Sequence, residues 1–115
     1  MDINVQTHGF KLTSAIYRST RSQFSRSLAS FRDSIVDVDV FLKDLNGPKG
    51  GVDKAVLVRI GLTTQQTITV ETVNENLHAA IILSARRAKR TVRRTLSKQR
   101  RVERASLREL RLSPG

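Results

Sequence analysis

The chain has no cysteine, no tryptophan and only two prolines in its 115 residues. Without cysteine there is no disulfide scaffold, no thiolate metal site and no cysteine nucleophile. Aromatic residues make up only 4%. Phe10, Tyr17, Phe24, Phe31 and Phe41 are scattered, and most are needed for a core. A sheet-face reader that stacks unpaired RNA bases on central-strand aromatics is therefore not expected. No apolar run approaches the ~18 residues of a membrane span, and the N-terminus begins like a strand, not a signal peptide. These absences predict a soluble, cytosolic chain with no membrane partner. Acidic residues are also scarce, 10 against 21 Lys and Arg, so the formal charge is +11. A chain of this length sits inside the ~100–150 residues of a typical single domain and buries roughly two-thirds of its unfolded surface.

The placement of the charge is more informative than its sum. Residues 1–85 carry 9 basic and 8 acidic side chains, whereas residues 86–115 carry 12 basic and 2 acidic ones. The core-building part is nearly neutral, and the excess lies in one C-terminal stretch. That asymmetry marks a polyanion-binding element. A basic tail that merely keeps the protein soluble would normally mix its signs, and this one barely does.

Alternation in Asp2–Gln6 predicts a first strand, ended by Gly9. Thr13 reads as the N-cap of a helix from Ser14 to Arg32, with Ile16, Thr20, Phe24, Ser27, Leu28 and Phe31 forming the core-facing stripe. Arg18, Ser22, Ser25 and Arg26 fall on its opposite face, with Arg21 towards the edge. From Ile35 to Lys43 the pattern predicts a second strand, with Val36, Val38, Val40 and Leu42 inward and Asp37, Asp39, Phe41 and Lys43 outward. The turn formers of residues 46–51 end it. Two further strands follow, the third with Val56, Val58 and Ile60 inward and the fourth with Ile68, Val70 and Thr72 inward, joined by a turn at Gln65-Gln66. The spacing fits a three-stranded antiparallel meander. Asn74 or Asn76 caps a last helix whose stripe is Ile81, Ser84, Ala85, Ala88, Val92 and Leu96. That stripe blurs after Leu96, so the helix is expected to outrun the sheet and to fray or project beyond about residue 100.

The fold class predicted is α+β in the order β-α-β-β-β-α, a four-stranded sheet with two helices packed on one face. Residues 1–100 form the single domain, and 101–115 a basic extension, helical or frayed. The other sheet face, with Asp2, Asn4, Gln6, Asp37, Asp39, Thr69 and Glu71, leans acidic and repels phosphate. A nucleic acid is expected on the helix side.

Catalysis finds no support. His8 and His78 sit in different elements, at no metal or triad spacing. Asp37 and Asp39 share a strand face but lack a third ligand nearby, and read as a solvated pair. The serines of the first helix have no base partner. Residues 47–51 lack the Gly-Lys-Ser/Thr ending of a phosphate-binding loop and precede a strand, so a hairpin is the better reading, although Lys49 and Lys54 could touch a phosphate there. No enzyme activity, cofactor, metal or small-molecule substrate is expected.

The arginines of the last helix are the strongest feature. Arg86, Arg87, Lys89, Arg90, Arg93, Arg94, Arg100 and Arg101 recur in pairs at roughly helical spacing. They would form a stripe about 20 Å long at the ~1.5 Å rise of a helix. Guanidinium forks grip phosphate oxygens in two places, which suits a duplex or folded RNA backbone and carries little base-reading chemistry.

The element order, the connection Asn46-Gly47-Pro48-Lys49-Gly50-Gly51-Val52-Asp53-Lys54, and the run Glu75-Asn76-Leu77-His78-Ala79-Ala80-Ile81 followed by basic residues together resemble the ribosome hibernation promoting factor family. Its members are also called ribosome-associated inhibitors or sigma modulation proteins. The resemblance covers about residues 1–100 and is carried by the order of motifs that are individually weak. It implies a double-stranded-RNA-binding-like fold in a bacterial, cytoplasmic, ribosome-associated protein. The implied partner is the small ribosomal subunit and its ribosomal RNA, where the protein would block the mRNA and tRNA channel of idle ribosomes. Carried over by position, the RNA-binding residues are Arg86, Arg87, Lys89, Arg90, Arg93, Arg94 and Arg101, flanked by Arg18, Arg21 and Arg26.

The chain departs from the family pattern in places. His78 stands where tyrosine is usual, and Ile82 and Leu83 add apolar surface outside the main stripe, as a partner contact or as packing. Long family members carry a C-terminal dimerisation domain; such a domain, and pairing of ribosomes through it, is not expected here. Two other readings use the same residues: a general duplex nucleic-acid-binding module, and a regulatory protein-interaction module in which the arginine-rich helix, with Ile82, Leu83, Leu107 and Leu110, docks on an acidic partner.

Overall fold

Strand β1 (Asp2–His8) opens the chain and helix α1 (Ser14–Ser27) follows, in a computed structural model that describes residues 1–45 and 53–112. A 3-10 turn (Ala29–Ser34) leads into β2 (Ile35–Asp44), then β3 (Lys54–Leu62), β4 (Thr67–Asn74) and α2 (Leu77–Leu112). The sheet order is β1-β2-β3-β4, with β1 parallel to β2 and the other two pairings antiparallel. A parallel pair needs a crossover, and α1 supplies it. Helix α1 packs over β1, while α2 packs over β3 and β4, so both helices share one face of the sheet. This is the α+β arrangement predicted. The turn expected at residues 46–51, and with it Lys49, lies outside the described residues.

The period-two strands place their apolar sets as expected. Val38, Val40 and Leu42 of β2, Val56, Val58 and Ile60 of β3, and Ile68, Val70 and Thr72 of β4 are all buried. Gly9 ends β1 at φ +92°, where a Cβ would collide with the Asp44 carbonyl. The caps also agree. Ile16 N donates to Thr13 Oγ1 (3.2 Å) at the start of α1. Ala79 N donates to Asn76 Oδ1 (3.0 Å) at the start of α2, and Asn76 N donates to Asn74 Oδ1 (2.9 Å). Asn76 is the cap and Asn74 fixes its approach. Asn76→Ala is expected to cost about 1 kcal/mol in urea unfolding, while Asn76→Ser stays within ~0.5 kcal/mol of the parent.

Two expectations are corrected. The first helix ends at Ser27, not Arg32. Serine, frequent around this point, is a weak helix former. A tighter 3-10 turn then brings Leu28 and Phe31 to the core three residues apart. In β2, Val36 is not inward. A bulge between Ile35 and Asp37 leaves Val36 unpaired and 54% exposed, and buries Ile35 opposite Leu62.

Helix α2 buries Ala80, Ile81, Ser84, Ala85, Ala88, Val92 and Leu96. Four of these are Ala or Ser, which lets the helix axis approach the sheet closely. From residue 100 to 109 every side chain is exposed. The helix nevertheless continues to Leu112, so this segment projects and does not fray, giving extents of 68 × 24 × 17 Å. Where β2 and β3 meet the described ends of their connection, Lys54 Nζ lies 2.9 Å from Asp44 and 3.4 Å from the buried Asp53. The hydrogen bond to Asp44 raises the Lys54 ammonium above its ordinary 10.5; desolvation opposes this and the Asp53 contact adds to it. Because the folded-state value is the higher one, the contribution is full at neutral pH and is lost only as pH rises through it.

Candidate nucleic-acid interface

Helix α2 carries 12 basic and 2 acidic side chains between Leu77 and Leu112. Each residue advances ~100° around the axis, so the buried stripe at Val92 fixes where every arginine stands. Lys89, Arg93 and Arg86 fall at roughly 60–120° from Val92, on the flank turned towards α1. Arg90 and Arg101 fall at roughly 160–180°, on the outer crest. Arg87 and Arg94 lean the other way, towards β4.

The hydrogen bonds confirm that assignment of flanks. Arg87 Nη1 donates to the Glu71 carbonyl (3.0 Å) and to Thr72 Oγ1 (3.2 Å) on β4. Arg87 is thus tied to the edge of the sheet and offers fewer free donors than its neighbours. Arg94 lines a cleft beside the β3–β4 turn with Gln66, Thr91, Thr95, Lys98, Gln99 and Val102. Lys98 is not among the residues that the sequence singles out, although its i+4 spacing from Arg94 is a signal for it. On the far flank, Ser27 Oγ donates to the Ala85 carbonyl (2.7 Å), stitching α1 to α2. Ile82 is half-buried and Leu83 is 39% exposed.

The described charges of α2 form no ion pair with another described residue. The only ion pairs among the described residues are those of Lys54. Arg86, Arg90, Arg93, Arg94 and Arg101 are exposed and Lys89 is half-buried. Their guanidinium and ammonium groups retain their donors for an outside acceptor. Like charges this dense repel one another, and a polyanion relieves that repulsion.

The first helix divides its arginines. Arg26 stands on the outer crest, where Nε (3.2 Å) and Nη2 (2.9 Å) both donate to Ser22 Oγ. Arg18 and Arg21 instead turn to the side of α1 away from α2. There they line a cleft of about 410 Å³ with Met1, Ile3, Ser25 and Arg32. The predicted basic residues therefore form two groups, one on α2 with Arg26 at its margin and one along β1. Arg32, from the 3-10 turn, joins the second group.

The opposite sheet face holds Asp2, Asn4, Gln6, Asp37, Asp39, Thr69 and Glu71, in cross-strand rows that also include Phe41, Leu57 and Arg59. Asn4 Nδ2 donates to Asp39 Oδ1 (3.3 Å). His8 closes β1 and His78 lies in the first turn of α2, both exposed. Among the described residues no group of three or more His, Asp or Glu could hold a metal ion, and no helix is long and apolar enough to cross a membrane.

A family model described as "Sigma 54 modulation protein / S30EA ribosomal protein" matches residues 3–100. No curated protein sequence matches the chain significantly. Among solved structures, a ribosomal subunit interface protein from Coxiella burnetii superposes with a TM-score of 0.71 at 15% identity, covering 84% of this chain and 99% of that one. The N-terminal domain of Protein Y from Thermus thermophilus superposes with a TM-score of 0.68 at 21% identity, covering 83% and 99%. At these identities the two structures establish the shared fold.

Proposed function

Since the chain belongs to the sigma 54 modulation / S30EA ribosomal protein family, we propose that it is a non-enzymatic ribosome-associated inhibitor. It grips small-subunit ribosomal RNA through α2 and so occupies the channel used by mRNA and tRNA. The observation that carries this reading is the concentration of 12 basic groups on one helix, the described ones forming no ion pair with a described carboxylate. Arg86, Lys89, Arg90, Arg93, Arg94 and Arg101 act as phosphate clamps, with Arg26 at the margin. Arg87 serves mainly to hold α2 against β4. The acidic sheet face turns away from the RNA. The family's ribosomal name and that of the Coxiella protein support the partner.

Co-sedimentation with purified small subunits tests the proposal. Binding is expected at low salt and should fall steeply as salt rises, because each phosphate contact releases counterions. Equal affinity for a random RNA duplex and for small subunits would favour a general duplex-binding module instead.

Truncation after Gln99 separates the projecting segment from the domain. It removes Arg100, Arg101, Arg104, Arg108 and Arg111 but no buried side chain among the described ones. The melting temperature is expected to change by less than ~4 °C, since surface changes stay within ~0.5 kcal/mol. Affinity for small subunits should drop roughly tenfold, and the salt slope should become shallower by about one for each phosphate that is no longer neutralised.

A further inference from the structure

The cleft beside β1 is not explained by the basic face of α2. Its floor is Met1 and Ile3, and its wall is Tyr17, Arg18, Arg21, Ser22 and Ser25 from α1 with Arg32 from the 3-10 turn. The three guanidiniums have no hydrogen-bond or ion-pair partner among the described residues, and no carboxylate lines the cleft. Strand β1 is one of the two edge strands of the sheet. Its outer side makes no backbone hydrogen bond to another described element. Strand edges of this kind are usually blunted by proline, a bulge or an inward-pointing charge. The seven residues of β1 have none of these: its side chains alternate, with Ile3 and Val5 buried and Asp2, Asn4 and Gln6 outward.

We infer that this edge takes up an extended acidic peptide segment as a fifth strand, antiparallel or parallel to β1. The backbone of the segment pairs with the free edge, and its alternate side chains rise on the helix side, where Arg18, Arg21 and Arg32 receive carboxylates. The intervening side chains fall on the opposite face beside Asp2, where a further carboxylate is repelled. The site therefore selects a pattern, acidic at every second position, and not merely a charge. That pattern and the main-chain edge are what distinguish a peptide from a nucleic acid. A phosphate chain has no amide ladder to match β1, and its charges recur without alternation. The body of α1 also stands between this cleft and the arginines of α2; the two surfaces meet at Ser22, which lines the cleft and accepts from Arg26.

Fluorescence anisotropy with short labelled peptides tests the inference. One peptide has glutamate at its second, fourth and sixth positions and threonine elsewhere; a second has the same composition with the glutamates contiguous; a third is the first with alternate backbone nitrogens methylated on its pairing edge. The first is expected to bind, and the other two to bind at least about tenfold more weakly. An Arg18→Glu, Arg21→Glu variant should lose at least about tenfold in affinity for the first peptide, and Arg32→Glu, tested separately, should lose measurably too. Arg90→Glu with Arg94→Glu should leave peptide binding unchanged. Thermal unfolding of each variant verifies that the fold is intact.

Equal binding of all three peptides would overturn strand addition and leave only charge attraction. The inference also fails if duplex RNA displaces the peptide and Arg18→Glu with Arg21→Glu weakens RNA binding as much as the α2 double variant does. In that outcome the cleft is part of the RNA surface.

Discussion

Arg90→Glu combined with Arg94→Glu is expected to reduce affinity for small ribosomal subunits roughly a hundredfold at ~0.1 M salt, with a salt slope shallower by about two. Two phosphate clamps disappear and two repulsive charges take their place at the middle of the basic face. The same variant should fold as well as the parent. Both side chains are exposed and bond to no described group, and surface changes of this kind stay within ~0.5 kcal/mol. The sign is even favourable. Arg86, Arg90 and Arg94 are spaced four apart on one helix, and like charges at that spacing cost ~0.2–0.5 kcal/mol per pair. A carboxylate at position 94 precedes Lys98 by four residues, the better orientation for a helical ion pair. Sedimentation with subunits and a thermal melt, done on the same preparation, check both halves. A melting temperature lowered as far as by a core deletion would make these arginines structural and remove the basis of the proposed RNA grip.

Phe24→Ala should give the converse result. Phe24 is fully buried on α1, in the cluster that includes Ile3, Val5, Leu28, Val38 and Val40. Truncating a buried phenylalanine costs about 3–5 kcal/mol, a large share of the ~5–15 kcal/mol that holds a domain together. For a domain of this size that corresponds to a fall of roughly 12–40 °C in melting temperature. At a temperature where the variant is still folded, its affinity for small subunits should match the parent, because Phe24 contributes nothing to the basic surface. Guanidinium unfolding followed by far-UV circular dichroism gives the first quantity. Together the two variants separate the chemistry of the surface from the energetics of the fold.

Most of the architecture was legible because periodicity is a local signal. The alternation through Val38, Val40 and Leu42, and again through Ile68, Val70 and Thr72, can bury only one face of a strand. Thr13, and one of Asn74 and Asn76, were recognisable as caps because a short oxygen-bearing side chain just before an apolar-periodic run has one efficient use, and the hydrogen bond to Ala79 N selects Asn76. Val36 escaped this reasoning. Alternation assigns it inward, and only the pairing of Ile35 with Leu62 and of Asp37 with Gly61 shows that it is the extra residue. The end of α1 escaped for a related reason, since serine-rich sequence tolerates both helix and 3-10 turn and the burial of Leu28 beside Phe31 selects between them.

By itself the sequence determined which helix carries the cationic excess, because charge is fixed by composition and a 3.6-residue period leaves little choice of face. It also determined the β-α-β-β-β-α order, through strand and helix periods that do not depend on distant partners. What only the tertiary structure decided is how the basic residues are divided. Arg87 is bound by the β4 backbone, Arg94 joins Lys98 beside the β3–β4 turn, and Arg18 and Arg21 meet Arg32 along the β1 edge. These groupings depend on which flank of each helix the sheet leaves open, and that follows from packing between segments far apart in the chain.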